Sequence, residues 1–225
     1  MHTVDFLATV PLLSRIDRTE LQRLAAVTRE RQYAKGSVIL FENDPGDTLF
    51  VVRLGRVKVV LVGEDGREVI LGVLGPGEYF GELSLIDEQP RSAHVIAMED
   101  SLLLALRSDD VKRRVEATPA VAWAMLVELS RRLRRADGKI GALALLDVPG
   151  RIARLLLDTA DDAGGDQLTK PLTHQTIAQM IGASRETVSR AMVEFQESGW
   201  IAVERRTIRL VDRPALARRA STRSG

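Results

Sequence analysis

Between residues 37 and 106 the apolar side chains come in six short runs, most of them alternating with polar ones, and after Leu106 that pattern stops. The runs cover residues 37–41, 48–52, 56–61, 68–74, 93–97 and 101–106. A period of two places successive side chains on opposite faces, which is the requirement of a strand with one face buried. Turn chemistry separates the runs: Asn43 to Asp47, Leu54-Gly55, Glu64 to Gly66, Gly75 to Gly77, and Glu99-Asp100. Many short strands at this spacing predict a β-sandwich, barrel or roll. The residues ahead of them, 3–31, read as helical, with Asp17 or Thr19 placed to cap a helix bearing Leu21, Leu24, Ala25 and Thr28 on one face.

One stretch inside the β region is not needed to build a sheet. Residues 77–95 hold two glycines, an acid in apolar company (Glu82), a short apolar turn and then Pro90-Arg-Ser-Ala93. Gly81 lets backbone approach a ligand closely. The turn from Glu82 to about Asp87 aims N–H groups at an anion. Arg91 offers a fork of donors to a phosphate and Ser92 a hydroxyl. Glu82 repels a phosphate but accepts from a sugar hydroxyl. The segment therefore reads as a pocket for a small anion that also carries hydroxyls.

From about Ala120 the period becomes helical. Leu126, Leu129, Leu133, Ala136, Ile140 and Leu143 are spaced three, four, three, four, three, a narrow seam flanked by Arg131, Arg132, Arg134, Arg135, Asp137 and Lys139. A narrow apolar stripe with charged flanks predicts a parallel two-helix dimer. Asp147-Val-Pro-Gly150 then marks a boundary: Asp147 caps a new helix and Pro149 suits its first turn. In residues 173–192, Thr173 is placed to cap a short helix, Ala178 keeps a helix crossing small, Gly182 takes the turn, Ser184 caps a second helix and Val188 packs it back. This spacing is a helix-turn-helix signature. The second helix presents Arg185, Glu186, Ser189 and Arg190, a set able to read guanine O6/N7 and cytosine N4. Residues 200–210 read as a hairpin wing with Arg205 and Arg206 at its tip, suited to phosphates. The segment from Arg213, with Arg218, Arg219 and Arg223, reads as a frayed basic tail.

Composition narrows the function classes. There is no cysteine, which excludes disulfides, thiolate zinc sites, cysteine nucleophiles and cysteine-held iron–sulfur clusters. His2, His94 and His174 match no metal spacing, so no metal is expected. No nucleophile–base pair is apparent, and the chain is not expected to be an enzyme. No run is long and apolar enough for a membrane span. The N-terminus lacks a basic region followed by an apolar core, so the cytoplasm is the expected compartment. The net charge of +1 hides an excess of acids before residue 108 and of bases after residue 150, as expected of a nucleic-acid end on another body.

Phe80-Gly-Glu-Leu83 with Pro90-Arg-Ser-Ala93, the seam helix and Ser184-Arg-Glu-Thr-Val-Ser-Arg190, in that order, resemble the cyclic AMP receptor branch of the bacterial Crp–Fnr regulators. The resemblance covers nearly the whole chain. It implies an α+β architecture: a cyclic-nucleotide-binding β-roll (jelly-roll) effector domain over residues 1–119, a dimerisation helix over 120–146 and a winged helix-turn-helix domain over 147–225. It implies Glu82 on the ribose 2′-hydroxyl, Arg91 and Ser92 on the cyclic phosphate, Gly81 and Leu83 lining the site, and Asp147 at the hinge. It also implies Arg185, Glu186 and Arg190 on a TGTGA/TCACA-like palindromic operator in double-stranded DNA, and RNA polymerase as a partner. Ala136 and Asp137 depart from the family: they stand where the cyclic AMP receptor places a threonine and a serine against adenine. Cyclic AMP is the favoured effector, with cyclic GMP open through Asp137 and cyclic di-GMP open through Arg134-x-x-Asp137. Constitutive DNA binding without a nucleotide is the rival reading. A haem would have only His94 as an axial ligand in the β region.

Overall fold

A computed structural model of the chain describes residues 2–14, 16–168, 172–204 and 207–221. It falls into two compact units, residues 1–132 and 133–225.

The first unit opens with α1 (Thr3–Thr9) and α2 (Arg18–Val27), the latter capped by the Asp17 carboxylate accepting from the Glu20 N–H. Then come β1 (Arg29–Tyr33), β2 (Val38–Leu40), β3 (Thr48–Leu54), β4 (Val57–Val62), β5 (Glu68–Leu74) and β6 (Tyr79–Phe80). A single short helix, α3 (Leu83–Asp87), interrupts them before β7 (His94–Ala97) and β8 (Ser101–Arg107). Helix α4 (Ser108–Ala117) and the first half of α5 (Pro119–Leu145) close the unit.

Two four-stranded antiparallel sheets, β1-β8-β3-β6 and β2-β7-β4-β5, face each other. Between them lie Ile39, Phe50, Val52, Val57, Phe80, Val95 and Leu103. The other face of the first sheet, through Leu49, Val51, Leu104 and Leu106, packs on Phe6, Leu7, Leu24, Val111, Val121 and Met125 from the helices. Strands β3 and β8 are thus covered on both faces, which is why their sequences are continuous apolar runs rather than alternating ones.

Strand β1 corrects the helical reading of residues 3–31. Arg29 to Tyr33 carry no buried side chain and no apolar period, yet they pair antiparallel with β8. The hydrogen bonds of an apolar neighbour decide the conformation of this polar edge.

Helix α5 carries the seam. Leu126, Leu133 and Ile140 are 55%, 63% and 64% exposed, and Ala136 and Leu143 are exposed too. Leu129 instead packs partly against the core of the first unit.

The second unit continues from α5 into α6 (Val148–Ala163), β9 (Gln167–Leu168), α7 (His174–Ile181), α8 (Arg185–Glu197), β10 (Ile201–Glu204), β11 (Thr207–Leu210) and α9 (Arg213–Ser221). Its core gathers Ile152, Leu156, Ile177, Val188, Phe195, Ile208 and Leu216. Helix α9 corrects the expectation of a frayed tail. Asp212 accepts from the Ala215 N–H at 2.9 Å to start it, and Leu216 is fully buried. Burying a side chain of that size contributes about 1.5–3 kcal/mol, enough to hold a short arginine-rich helix. Among the described residues no helix is long and apolar enough to cross a membrane.

Candidate nucleotide pocket and nucleic-acid interface

In the first unit the segment around α3 turns on two glycines. Gly77 and Gly81 have φ of +85° and +84°, a region that side chains disfavour. Gly81 is also short of space. A Cβ there would stand 2.7 Å from Arg91 Nη1 and 2.9 Å from the Thr48 carbonyl.

Arg91 is 5% exposed, an unusual place for a guanidinium. Its Nη1 donates to the Gly81 carbonyl at 2.9 Å and its Nη2 to the Thr48 carbonyl at 2.7 Å, while Nε has no partner. Burial pulls its pKa down from the usual guanidinium range, and Asp47 and Glu82 pull the other way. The loop before β3 braces it. The Arg91 N–H donates to the Asp44 carbonyl and the Asn43 N–H to the Arg91 carbonyl, both at 2.9 Å. Gly46 lies against the side chain: a Cβ there would stand 2.7 Å from Arg91 Nε and 2.6 Å from Ser84 Cβ. Such a side chain is a clamp with a bare donor, held in a space that only glycines leave open.

Glu82 is 3% exposed and stands at the N-cap of α3, but its side chain makes no cap bond. Its Oε1 accepts from Arg132 Nη1 at 2.8 Å. Arg132, on α5, also donates to the Tyr79 carbonyl at 2.7 Å and to Glu128 at 3.2 Å, and its guanidinium lies 4.9 Å from the centre of the Tyr79 ring. Burial disfavours the charge of Arg132, but Glu82, Tyr79 and Glu128 outweigh it and hold its pKa above the usual value. Burial pushes the Tyr79 hydroxyl up as well. The site thus presents a cationic fork and a carboxylate whose first oxygen is already shared with a helix.

Of the residues the sequence singles out, Gly81, Glu82 and Arg91 come together: Arg91 bonds the Gly81 carbonyl and lies within the field of Glu82, which itself bonds Arg132. Ser92 and Leu83 sit on the exposed rim. Ala136 and Asp137 lie on α5 in the second unit, both exposed. Two residues of the site escaped the sequence reading. Gly46 passes for an ordinary turn glycine, and its clue is its place in the Asn43 to Asp47 loop. Arg132 is one of four arginines in five residues, and only the fold shows which of them meets Glu82.

In the second unit the helix pair α7–α8 is built as its sequence predicts. The Thr173 hydroxyl accepts from the Thr176 N–H at 3.1 Å and caps α7, and the Ser184 hydroxyl accepts from the Thr187 N–H at 3.1 Å and caps α8. Gly182 takes φ +64° between them, and Ala178 and Val188 are buried at the crossing. Thr173 and Ser184 therefore serve the helices first. Arg185, Glu186 and Arg190 are exposed on α8 and Ser189 is half-buried. The Glu186 pKa lies below the usual range: backbone and Ser184 hydrogen bonds favour its charged form, as do Arg185 and Arg190. Strands β10 and β11 pair as a hairpin with β9 beside β11. Arg205 and Arg206, expected at its tip, lie outside the described residues, as does Arg223.

Residues 30–118 match the cyclic nucleotide-binding domain family, and residues 150–219 match the Crp-like helix-turn-helix domain. The CRP-like cAMP-activated global transcriptional regulator of Mycobacterium tuberculosis is 35% identical over 209 residues, covering 89% of this chain and 93% of that protein. The cyclic AMP receptor protein of Thermus thermophilus is 35% identical over 189 residues, 84% of this chain and 87% of that one. Among solved structures, the c-di-GMP responsive global regulator CLP of Xanthomonas campestris is similar with a TM-score of 0.72 at 27% identity, covering 86% of this chain and 99% of that one.

Proposed function

Because this chain belongs to the Crp–Fnr family of bacterial transcription regulators, with a cyclic nucleotide-binding domain and a helix-turn-helix, we propose that it is a homodimer whose operator affinity is set by a cyclic nucleotide, cyclic AMP before others. The observation that carries this reading is Arg91: a buried guanidinium with an unpartnered Nε, set beside a buried carboxylate. A 3′,5′-cyclic phosphate satisfies the first and a ribose 2′-hydroxyl the second.

In this reading the phosphate bonds Arg91 and Ser92, and the ribose donates to Glu82 with Gly81 and Leu83 around it. Glu82 is already the acceptor of Arg132. A ligand hydroxyl therefore changes a bond that ties α5 to the pocket, and the ligand shifts a population of α5 arrangements. Two copies associate along Leu126, Leu133, Ala136, Ile140 and Leu143, with Leu129 shared between seam and core. The α8 helices of the dimer enter successive major grooves of a TGTGA/TCACA-like palindrome, about 34 Å apart. Arg185, Glu186, Ser189 and Arg190 form the face toward the bases, with Thr173 and Ser184 also at the DNA; Arg205 and Arg206 hold the phosphate backbone. The chain acts in the cytoplasm, on RNA polymerase, without catalysing a reaction.

Cyclic di-GMP is the second reading. It draws support from the exposed Asp137 in Arg134-x-x-Asp137 and from the likeness to a regulator described as c-di-GMP responsive. Calorimetric titration with cyclic AMP, cyclic GMP and cyclic di-GMP, each followed by an operator-shift assay, separates the readings. Binding of cyclic AMP that tightens operator binding supports the first. Arg91→Leu with unchanged nucleotide binding sinks it.

A further inference from the structure

Helix α9 lies antiparallel along α6 and is fastened at both ends. At one end Arg213 donates to Asp166 at 2.9 Å and to Asp161 in the last turn of α6. At the other, Arg219 donates to Asp147, the residue where α5 has ended and α6 begins. Asp147 has extended backbone, φ −72° and ψ 175°, and uses its two oxygens for two purposes. Oδ1 accepts from the Gly150 N–H at 2.9 Å and caps α6, and Oδ2 takes the Arg219 guanidinium. Gly150 lets the two helices close at this point, since a Cβ there would stand 3.3 Å from the Arg219 carbonyl. Arg219 also holds the Asp147 carboxyl below the usual range. Anchoring α9 for stability alone does not require this second bond, because Leu216 and the Arg213 pair already hold it.

We propose that Arg219 is a positioning residue of the α5–α6 joint: α9 clasps Asp147, so the joint and the DNA-reading head turn as one piece. Without the clasp the joint rests on the Asp147 N-cap and on the exposed Arg135–Asp162 pair between α5 and α6, and a change in α5 is damped before it reaches α8. With the clasp, the first turn of α6 is held by the C-terminal end of α9. The functional part of this proposal rests on the ligand-gated reading above.

The test uses the full-length protein and four variants. Arg219→Ala removes the clasp, Arg219→Lys keeps a cation, Asp147→Ser keeps a cap but loses the carboxylate, and Arg213→Ala loosens the other end of α9. The first readout is amide hydrogen exchange at Gly150 and Arg151 without nucleotide. Arg219→Ala and Asp147→Ser are expected to speed it by about two- to fivefold, the size of a half-exposed ion pair. Arg219→Lys restores it, and Arg213→Ala leaves those amides as they were. The second readout is the ratio of operator affinities with and without cyclic AMP. Arg219→Ala is expected to reduce that ratio by about fivefold or more, with nucleotide affinity of the free protein unchanged.

Unaltered exchange at Gly150 and Arg151 in Arg219→Ala overturns the clasp. So does an equal fall of the affinity ratio in Arg213→Ala at matched thermal stability, which makes α9 a general stabiliser. If the wild-type chain binds operator equally with and without nucleotide, the ligand-gated reading falls instead, and the exchange readout alone decides the clasp.

Discussion

Gly46→Ala is a one-methyl change in a loop, and it is expected to disable the nucleotide pocket. The added Cβ would stand 2.7 Å from both Nε and Cζ of Arg91 and 2.6 Å from Ser84 Cβ. Ordinary contact begins near 3.4 Å, so something has to move by most of an ångström. Ser84 is buried in α3, and the Arg91 backbone is bonded to Asn43 and Asp44 on the same loop. The loop has to back away from Ser84, and on the other side the guanidinium is the part that yields. Its bonds to Gly81 and Thr48 are 2.9 and 2.7 Å long, and a shift of that size takes at least one of them out of bonding range. A misplaced fork loses a charge-assisted bond to phosphate as well, about 1.5–3 kcal/mol, or about 10- to 100-fold in nucleotide affinity. Calorimetric titration of cyclic AMP into Gly46→Ala measures this. Gly72→Ala serves as the control, because a Cβ at Gly72 meets nothing within 4 Å. Nucleotide affinity in Gly46→Ala within twofold of wild type would refute the idea that space beside Arg91 sets the clamp.

Three further outcomes are expected. Arg132→Ala strands the buried Glu82 charge and is expected to cost about 2–3 kcal/mol in urea unfolding, less than a fully buried pair because Arg132 is partly exposed; Glu82→Gln in the same background recovers part of the loss. Leu133→Glu with Ile140→Lys places charges on an exposed apolar seam, and light scattering after size exclusion is expected to report a monomer where wild type is a dimer; a dimer in both moves the interface elsewhere. Arg185→Ala is expected to cost about 1–3 kcal/mol on a specific operator and little on random DNA; equal losses on both, by fluorescence anisotropy, make Arg185 a phosphate contact.

How far the sequence reveals this molecule depends on whether a signal is local. Strands β2 to β5, β7 and β8 announce themselves by their apolar runs and by the Gly and Asp turns between them, because one or both faces are buried in cores those residues build. Strand β1 carries no such mark: its conformation comes from pairing with β8, a partner about seventy residues away. The caps at Asp17, Thr173 and Ser184 are legible because cap and first turn are neighbours in sequence. Helix α9 is not, since its arginines suggest solvent while Leu216 supplies the burial and distant Asp147, Asp161 and Asp166 supply the partners. The same divide runs through the pocket. Gly81, Glu82 and Arg91 stand in one short segment and can be named from it. Gly46 and Arg132 reach the pocket from flanking parts of the chain, and only their distances to Arg91 and Glu82 reveal them.

The central claim is that occupancy of the Arg91–Glu82 pocket sets the affinity of α8 for DNA. Its most direct measurement is the operator dissociation constant of purified, nucleotide-free protein, with and without saturating cyclic AMP. The expected result is a tightening of about fivefold or more with nucleotide, lost in Arg91→Leu. Operator binding of equal strength in both conditions, with Arg91→Leu unchanged, contradicts it and leaves a constitutive DNA-binding protein with the β-roll as scaffold.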